Sequence, residues 1–263
     1  MIVPGTKALL HKGILMKRKA LYAIYFSTKR YLAPSLEYAQ VFYEQVLFKH
    51  VGPEMLWLDL GCGHQLLSPW RESQEDTLVS QCHDLIGLDL CLPALRTHRS
   101  IHKRVVGDIS HLPFNDRSFD LVTANMVVEH LSDPLAQFCE IKRVLKPGGR
   151  FVFHTPNAYG YFCAARRCIP WVLNAWLIRL LEGRPQEDVF PVRYKANTTA
   201  RISELARMAG FKVNHLRMLL SSPVFALVPP LMVVELLWLR LLMLKSFKRW
   251  RTNIIAELES ESH

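Results

Sequence analysis

Short apolar runs alternate with amphipathic stretches along most of the chain, and this pattern predicts its architecture. The stretch between Leu36 and Leu47 has apolar residues at helical spacing, with Ser35 as its predicted N-cap. A further helix is predicted from Leu66, and residues 253–258 are predicted to form a last edge strand. Strands that alternate with helices form a mainly parallel, doubly wound α/β sheet, because each crossover covers one face of that sheet. Buried strands are predicted at Met55–Leu58, Leu85–Asp89, Val105–Asp108, Leu121–Ala124 and Phe151–His154.

The same pattern divides the chain into four parts. Residues 1–54 are basic and end in the amphipathic helix, and residues 55–157 carry the alternating strands and helices of an α/β core. Residues 158–200 interrupt the alternation with an aromatic, apolar stretch, which predicts a helical cap inserted over the carboxyl edge of the sheet. Residues 201–263 return to the sheet around an apolar helical excursion at 218–245.

The excursion raises the question of a membrane. Prolines interrupt it, so it lacks the roughly 20 consecutive apolar residues of a spanning helix. The chain has 33 Lys and Arg against 23 Asp and Glu, and basic clusters adjoin apolar sequence near both ends. This arrangement favours an anionic membrane surface over a nucleic-acid groove. Two interpretations remain open for residues 218–251: packing on the domain or in a dimer, or peripheral contact with a bilayer.

The cysteine pattern indicates a reducing compartment. The six cysteines are scattered and form no CxxC pair, which favours free thiols. The basic and apolar segment near the start is short and has no small-residue cleavage site, so we expect no signal peptide. We therefore expect a cytoplasmic protein, with contact to the inner face of a membrane as the open alternative.

A glycine turn after the first predicted strand carries the first chemical signal. Asp59-Leu60-Gly61-Cys62-Gly63 lies at the sheet edge where open α/β sheets bind ligands. Gly61 and Gly63 permit positive φ and let a ligand approach the backbone closely. A dinucleotide loop would have a third glycine where Leu66 stands. Asp59 suits a cationic group better than a pyrophosphate, which favours S-adenosylmethionine as the cofactor.

Two further predicted strands also end in acids. Asp89 follows Asp59 by about 30 residues, close to the spacing of a carboxylate that accepts hydrogen bonds from ribose hydroxyls. A solvated strand end is the alternative interpretation. Asp108 is placed to accept the adenine amino group, with Ile109 packing on the ring.

The ordered set of motifs resembles the class I S-adenosylmethionine-dependent methyltransferases, in the subgroup that includes quinone and small-molecule methylases. The resemblance covers residues 55–157 and implies a seven-stranded sheet whose last strand, near 253–258, is antiparallel. The motifs that carry it are Asp59–Gly63, Gly87–Asp89, Gly107–Ile109, Leu112–Phe114 with Ser118–Asp120, Val128–Leu131 and Arg143–Gly149.

The resemblance also implies a set of cofactor contacts. One position departs from the family pattern, because Gln65 stands where a third small residue is often found in the loop. Matched position by position, the contacts fall on Asp59, Gly61, Gly63, Asp89, Asp108, Ile109 and Asn125.

Transfer of an activated methyl group requires alignment of the acceptor and exclusion of water, and a general base helps when the acceptor is a hydroxyl. His130 is the candidate base, because it follows the fourth strand and its imidazole titrates near neutrality. A structural Glu129-His130 pair is the alternative. Asn157, Tyr159 and Tyr194 are candidate substrate contacts. No His, Asp or Glu cluster has metal-ligand spacing, so we expect no metal.

The resulting hypothesis is a methyltransferase that acts on a small, lipophilic acceptor, with oxygen as the expected acceptor atom. A nucleic-acid methyltransferase is disfavoured, because Asn125-Met126-Val127-Val128 replaces the Asp/Asn-Pro-Pro-aromatic motif after the fourth strand. A methyltransferase-like scaffold that binds the cofactor at a membrane without turnover remains a third hypothesis. The acceptor's identity and the oligomeric state are left open.

Overall fold

The computed structural model describes residues 20–68, 71–161, 163–164 and 191–261. Most of the predicted cap, and residues 1–19 of the basic segment, lie outside the described residues. The cap therefore stays a prediction.

One seven-stranded sheet, ordered β3-β2-β1-β4-β5-β7-β6, organises the described part of the chain. Strands β1 to β5 pair in parallel, and β7 runs antiparallel to both of its neighbours. The predicted doubly wound sheet with an antiparallel last strand is confirmed. The strands are β1 (Leu56–Leu60), β2 (Asp84–Asp89), β3 (Lys103–Val106), β4 (Phe119–Asn125), β5 (Leu145–Pro156), β6 (Phe211–Leu219) and β7 (Asn253–Ser260).

Helices connect these strands. Residues 20–32 form a leading helix that precedes the sheet. Short 3₁₀ turns occupy Val128–His130 and Lys245–Trp250. The remaining α-helices are α1 (Ala39–His50), α2 (Glu72–Ser80), α3 (Leu92–Arg96), α4 (Pro134–Val144), α5 (Thr199–Met208) and α6 (Pro229–Leu242).

The core lies on both faces of the sheet, because successive strand residues point to opposite sides. Leu58 and Leu60 enter one apolar cluster with residues of α4 and α5. Trp57 enters a second cluster with residues of α1 and α2. Asp59 follows Trp57 by two positions, so the two side chains lie on the same face of the sheet. A carboxyl group therefore lies on the face that the second apolar cluster covers.

Two predicted helix starts are wrong. Ser35 does not cap α1, since Tyr38 forms a β-bridge with Leu220 and the amide of Ala39 donates to the Leu220 carbonyl at 2.8 Å. This pairing keeps the chain extended until Ala39. The helix expected from Leu66 begins only at Glu72, and the Leu67 amide donates to the buried Glu75 carboxylate at 2.8 Å.

The last strand was also expected at an edge of the sheet, and this is wrong. β7 lies between β5 and β6, with Phe153 and Leu216 both paired to Ala256. Nearly all its residues are buried, as a strand with two neighbours requires. The edge of the sheet is β6 instead.

Residues 220–252 form an excursion from the carboxyl edge of the sheet, where Leu219 at the end of β6 pairs with Asn253 at the start of β7. The excursion contains α6 and the 3₁₀ turn Lys245–Trp250. A third apolar cluster joins α6 to the leading helix, through contacts that include Tyr25 and Leu236. None of the helices in the described part of the chain has the length and apolar character that a bilayer crossing requires.

Candidate functional site

A cavity of about 770 Å³ opens at the carboxyl ends of β1, β2 and β4. Its size suits a nucleoside-containing cofactor with room for a second small molecule. The structure brings together seven predicted site residues in its lining: Gly61, Gly63, Asp89, Asp108, Ile109, Asn125 and His130.

The two-glycine bend shapes one wall of the cavity. Gly61 and Gly63 have φ of 63° and 59°, in the left-handed region that favours glycine. A Cβ atom on Gly61 would lie 2.5 Å from Val127 Cγ2, so the loop after β4 packs directly against this backbone. A Cβ on Gly63 would meet no atom within 4 Å and would instead occupy ligand space. The second glycine therefore leaves the backbone open to close approach.

Asp89 at the end of β2 holds the bend in place. Its Oδ2 accepts a hydrogen bond from the Gly63 amide at 2.8 Å, and its Oδ1 accepts one from the Cys91 amide at 2.7 Å. The residue is only 8% exposed, yet it lines the cavity. Each carboxylate oxygen retains a further lone pair, so the group is able to accept two vicinal hydroxyls of a ligand.

Asp108 and Ile109 form the neighbouring wall. The Asp108 Oδ1 accepts the Ser110 amide at 2.8 Å, which fixes the turn and leaves Oδ2 as an exposed acceptor. Ile109 is half-buried and packs on the core cluster beneath it. The pair thus offers a flat apolar contact beside a carboxylate, the combination that an amino-substituted purine ring requires.

Asp59 does not line the cavity but lies beneath the bend. The Thr123 hydroxyl donates to its Oδ1 at 2.5 Å, and the Trp57 indole N–H donates to that hydroxyl at 2.6 Å. Burial, and next the charges of Asp89 and Glu75, raise its pKa to about 7, against the opposing effect of the Thr123 hydrogen bond. Any influence of Asp59 on a ligand is therefore electrostatic and acts through the loop.

A chain of hydrogen bonds orients Asn125 at the opposite wall. The Asn253 amide donates to His154 Nε2 at 2.8 Å, so His154 carries its proton on Nδ1 and donates to Asn125 Oδ1 at 2.9 Å. The Asn125 amide donates in turn to Gln40 Oε1 at 3.4 Å, and Gln40 donates to Glu44 at 3.2 Å. Burial lowers the pKa of His154 to about 4, which keeps the ring neutral and the direction of the chain fixed.

Several lining residues were not predicted. Gln40 is a polar residue within the otherwise apolar stripe of α1, and this single polar position is the sequence signal that could have indicated its place in the cavity. Met126 has φ of 59°, so the chain turns sharply as it leaves β4. Arg193 also lines the cavity; with Tyr194 and Lys195 it is a sequence-level candidate for contact with an anionic substrate group, against a solvated loop as the alternative.

His130 lies in the 3₁₀ turn after β4, and its ring lines the cavity. Its Nδ1 lies 3.1 Å from the Pro191 carbonyl oxygen, which only accepts hydrogen bonds, so Nδ1 carries the proton of the neutral ring. The basic lone pair is then on Nε2. Burial lowers the pKa of His130, while the Pro191 bond opposes this, and the neutral form is favoured near pH 7.

Glu129 has a structural position behind this histidine. Its carboxylate is buried and accepts the Thr155 hydroxyl at 2.9 Å. Its backbone carbonyl accepts the amides of Arg193 and Tyr194 at 2.8 and 3.1 Å. These bonds bring Arg193 to the cavity, whereas the half-buried Tyr194 ring is outside its lining.

The other two predicted substrate residues also lie outside the cavity lining. Asn157 is 1% exposed, and its amide donates to the carbonyl oxygens of Arg249 and Arg251 at 2.9 and 2.7 Å. Its own carbonyl oxygen accepts the Tyr159 amide at 3.1 Å. The Tyr159 ring is exposed and stacks on the Arg249 guanidinium at 4.3 Å. Both residues therefore connect β5 to the excursion.

Over the ranges that the structure covers, no three His, Cys, Asp or Glu side chains lie close enough to hold a metal ion. The ligand-holding groups of the cavity are backbone amides, carboxylates and carboxamides, which suit an organic ligand with hydroxyl and amino groups.

Known proteins resemble this chain over the same region. Residues 58–153 match a family described as a methyltransferase domain. A demethylmenaquinone methyltransferase of Lactiplantibacillus plantarum is 36% identical over 39% of this chain and 46% of its own length. A malonyl-[acyl-carrier protein] O-methyltransferase of Erwinia billingiae is 35% identical over 38% of this chain and 39% of its own length. The chain spans about half the length of the curated relatives it matches.

A solved structure shows the same fold. The S-adenosylmethionine dependent methyltransferase from Mesorhizobium loti superimposes with a TM-score of 0.52 at 17% identity. The superposition covers 82% of this chain and 95% of that protein. At this identity the likeness concerns the fold alone, and it covers more of the chain than residues 58–153.

Proposed function

We propose that the chain transfers a methyl group from S-adenosylmethionine to a small, lipophilic acceptor, in keeping with the match of residues 58–153 to a methyltransferase domain family. The observation that carries the proposal is the contact between the two-glycine bend and Asp89 at the mouth of the cavity. An open backbone and a carboxylate suited to ribose hydroxyls lie side by side there.

The residues present fit the proposed cofactor. Asp89 would accept the ribose hydroxyls, and Asp108 with Ile109 would hold the adenine ring. Asn125 and Gln40 would face the amino-acid portion, with their carboxamides already oriented by His154. When bound, the cofactor supplies an activated methyl group. The chain's own contribution is to align the acceptor and exclude water from the cavity.

His130 would act as the general base toward a hydroxyl acceptor. Its Nε2 carries the basic lone pair, and Pro191 holds the ring through Nδ1. A base held in this way removes the acceptor's proton as the new bond forms, which contributes roughly 10²–10⁴-fold in rate.

A lipophilic acceptor is proposed from the apolar excursion, which leaves the same edge of the sheet as the site. Two relatives with different named acceptors match the chain at similar identity, so neither acceptor is preferred by resemblance. The excursion leaves the sheet at the carboxyl edge, where the cavity also opens. Peripheral membrane contact through residues 218–251 is part of the same proposal.

Isothermal calorimetry with S-adenosylmethionine and its demethylated product tests the cofactor assignment. We expect binding by the wild-type protein, and Asp108→Asn should weaken it roughly tenfold, because an amide donor replaces an acceptor oxygen. Asp76→Asn on exposed α2 makes the same chemical change away from the cavity and should leave the affinity unchanged. The absence of heat from either compound with folded wild-type protein would contradict the proposal.

Transfer of a labelled methyl group into organic-soluble products from membrane extracts tests the reaction. His130→Gln should lower kcat about 10²-fold without changing cofactor affinity. Since burial lowers the pKa of His130, the wild-type rate should fall on acidification only below the ordinary histidine range. His215→Gln on exposed β6 is the matched control. Cofactor binding without transfer into any product would favour the scaffold hypothesis instead.

A further inference from the structure

We propose that the outer face of α6, together with the basic turn that follows it, docks on the surface of an anionic lipid bilayer. The docking surface consists of Leu231, Val234, Leu237 and Trp238 on the helix and Lys245–Trp250 in the turn. The docking itself is independent of catalysis, although its use for acceptor delivery rests on the proposed function.

The outer face of α6 is apolar where a water-facing helix is normally charged. All four of its named residues are exposed, and Val234 reaches 64%. At 3.6 residues per turn they fall within an arc of about 120° that holds no charged side chain. A contiguous apolar patch of this kind marks an interaction site on a protein surface.

The inner face of the same helix is already occupied. Met232, Leu236, Leu239 and Leu242 are almost fully buried, and they pack in the cluster shared with the leading helix. The outer apolar face is therefore not needed to hold α6 on the protein. A helix that is apolar all round lies either within protein or against hydrocarbon.

Glu235 shows how the helix keeps charge away from its outer face. Its carboxylate points inward and accepts the amides of Val224 and Phe225 at 3.0 and 2.9 Å and the Tyr161 hydroxyl at 3.1 Å. The acidic side chain thus fixes the loop before α6. It contributes no repulsion toward an anionic surface.

The basic turn supplies the complementary charge. Lys245 and Lys248 are exposed, and their ammonium groups form no side-chain hydrogen bond or ion pair with any residue that the structure describes. Trp250 is exposed beside them, as is common for aromatic side chains at membrane–water interfaces. Basic residues that flank an amphipathic apolar face are the usual recognition pattern for anionic lipid headgroups.

The turn is rigidly attached to the sheet. Arg251 donates hydrogen bonds to the carbonyl oxygens of Met218, Leu242 and Met243, and Asn157 donates to the carbonyl of Arg251 itself. The lysines therefore have a fixed position relative to α6. The surface is preformed, so docking requires little ordering of the chain.

The test is sedimentation of the full chain with phosphatidylcholine vesicles that contain or lack phosphatidylserine. We expect the wild-type protein to bind the anionic vesicles. Val234→Gln with Leu237→Gln should weaken binding about tenfold, since both side chains lose their burial in the acyl region. Lys245→Glu with Lys248→Glu should weaken binding roughly tenfold or more, and raised salt should have a similar effect.

Matched controls come from α5, which precedes the opposite end of β6. Met208→Gln and Arg207→Glu change one exposed apolar and one exposed basic side chain there, and should leave vesicle binding unchanged. Circular dichroism and thermal unfolding of each variant establish that it is folded.

Each other outcome overturns the proposal. Wild-type protein that binds neither vesicle would exclude a lipid surface, and α6 variants that bind as well as the controls would exclude docking through α6. If the glutamine variants convert a dimer to a monomer in light scattering while wild-type protein ignores vesicles, the occupant is a second copy. If they lower the thermal stability sharply without weakening vesicle binding, the face packs within the protein instead. Cofactor calorimetry on the same samples distinguishes these failures from failure of the methyltransferase proposal.

Discussion

At the scale of single residues, the site combines ligand-holding groups with one energetically unfavourable carboxyl group. Asp89 and Asp108 each accept hydrogen bonds from backbone amides and keep acceptor capacity toward the cavity. Asp59 is 5% exposed and has its pKa raised to about 7 by burial. Such costs are often found at functional sites, where an arrangement suited to a ligand is maintained at the expense of stability.

Asp59→Asn should stabilise the cofactor-free protein at alkaline pH. A carboxyl group whose folded pKa is about 7 and whose ordinary value is 3.8 binds the proton more tightly in the folded state. Ionisation of Asp59 therefore lowers the free energy of unfolding more and more as the pH rises between these two values, by at most roughly 4 kcal/mol in total. The asparagine keeps the acceptor oxygen for Thr123 and removes this pH dependence.

Urea unfolding at about pH 6 and about pH 8 measures this effect through the difference between variant and wild type. The gain in unfolding free energy should be larger at the higher pH, and Asp76→Asn should show no such gain. Affinity for a cationic cofactor should fall in Asp59→Asn, because the variant lacks the negative charge beneath the loop. Equal pH dependence in both proteins would contradict the raised pKa.

At the scale of elements, the strands could be predicted more accurately than the helix starts and the connections. Apolar runs bounded by acids and glycines located β1, β2 and β4 within a few residues. The start of α1 could not be predicted in the same way, since it depends on pairing between Tyr38 and Leu220, which are distant in sequence. The position of β7 likewise depends on long-range pairing that no local periodicity encodes.

The same contrast between local patterns and long-range packing applies to the site residues. Gly63 and Asp89 are local to strand ends and were predicted, whereas Gln40 was not predicted and reaches the cavity only through tertiary packing. Asn157 was placed near the substrate because it follows a strand tip, but its amide is fully used in holding the excursion. A polar residue beyond a strand end is thus a weak signal for a ligand contact when it stands alone.

Asn157→Ala should destabilise the attachment of the excursion. It leaves the part-buried carbonyl oxygens of Arg249 and Arg251 without their donor, at a cost of about 2–3 kcal/mol in unfolding free energy. Asn214→Ala is the matched control, because it removes a single bond from the half-buried Asn214 to Glu259 and should cost less than about 1 kcal/mol. Urea unfolding measures both changes. Equal losses of unfolding free energy in the two variants would contradict a larger contribution from the Asn157 hydrogen bonds.

At the scale of the whole molecule, one edge of the sheet carries both the cavity and the excursion. The carboxyl ends of β1, β2 and β4 surround the cavity, and the end of β6 with the start of β7 surrounds the excursion. The parallel order that made the sheet predictable also determines this arrangement, since all parallel strands end on one side. The nature of the acceptor is not encoded at this scale, because the sheet fixes positions and leaves side-chain chemistry to the loops.

The insertion of β7 between β5 and β6 has a consequence for biosynthesis. β6 and the apolar α6 are synthesised before Asn253–Ser260. Until then β6 lacks the neighbouring strand that joins it to β5. During that interval the nascent polypeptide exposes both an unpaired strand and an apolar helix. Such an intermediate is a natural client for chaperones, or for early capture by a lipid surface.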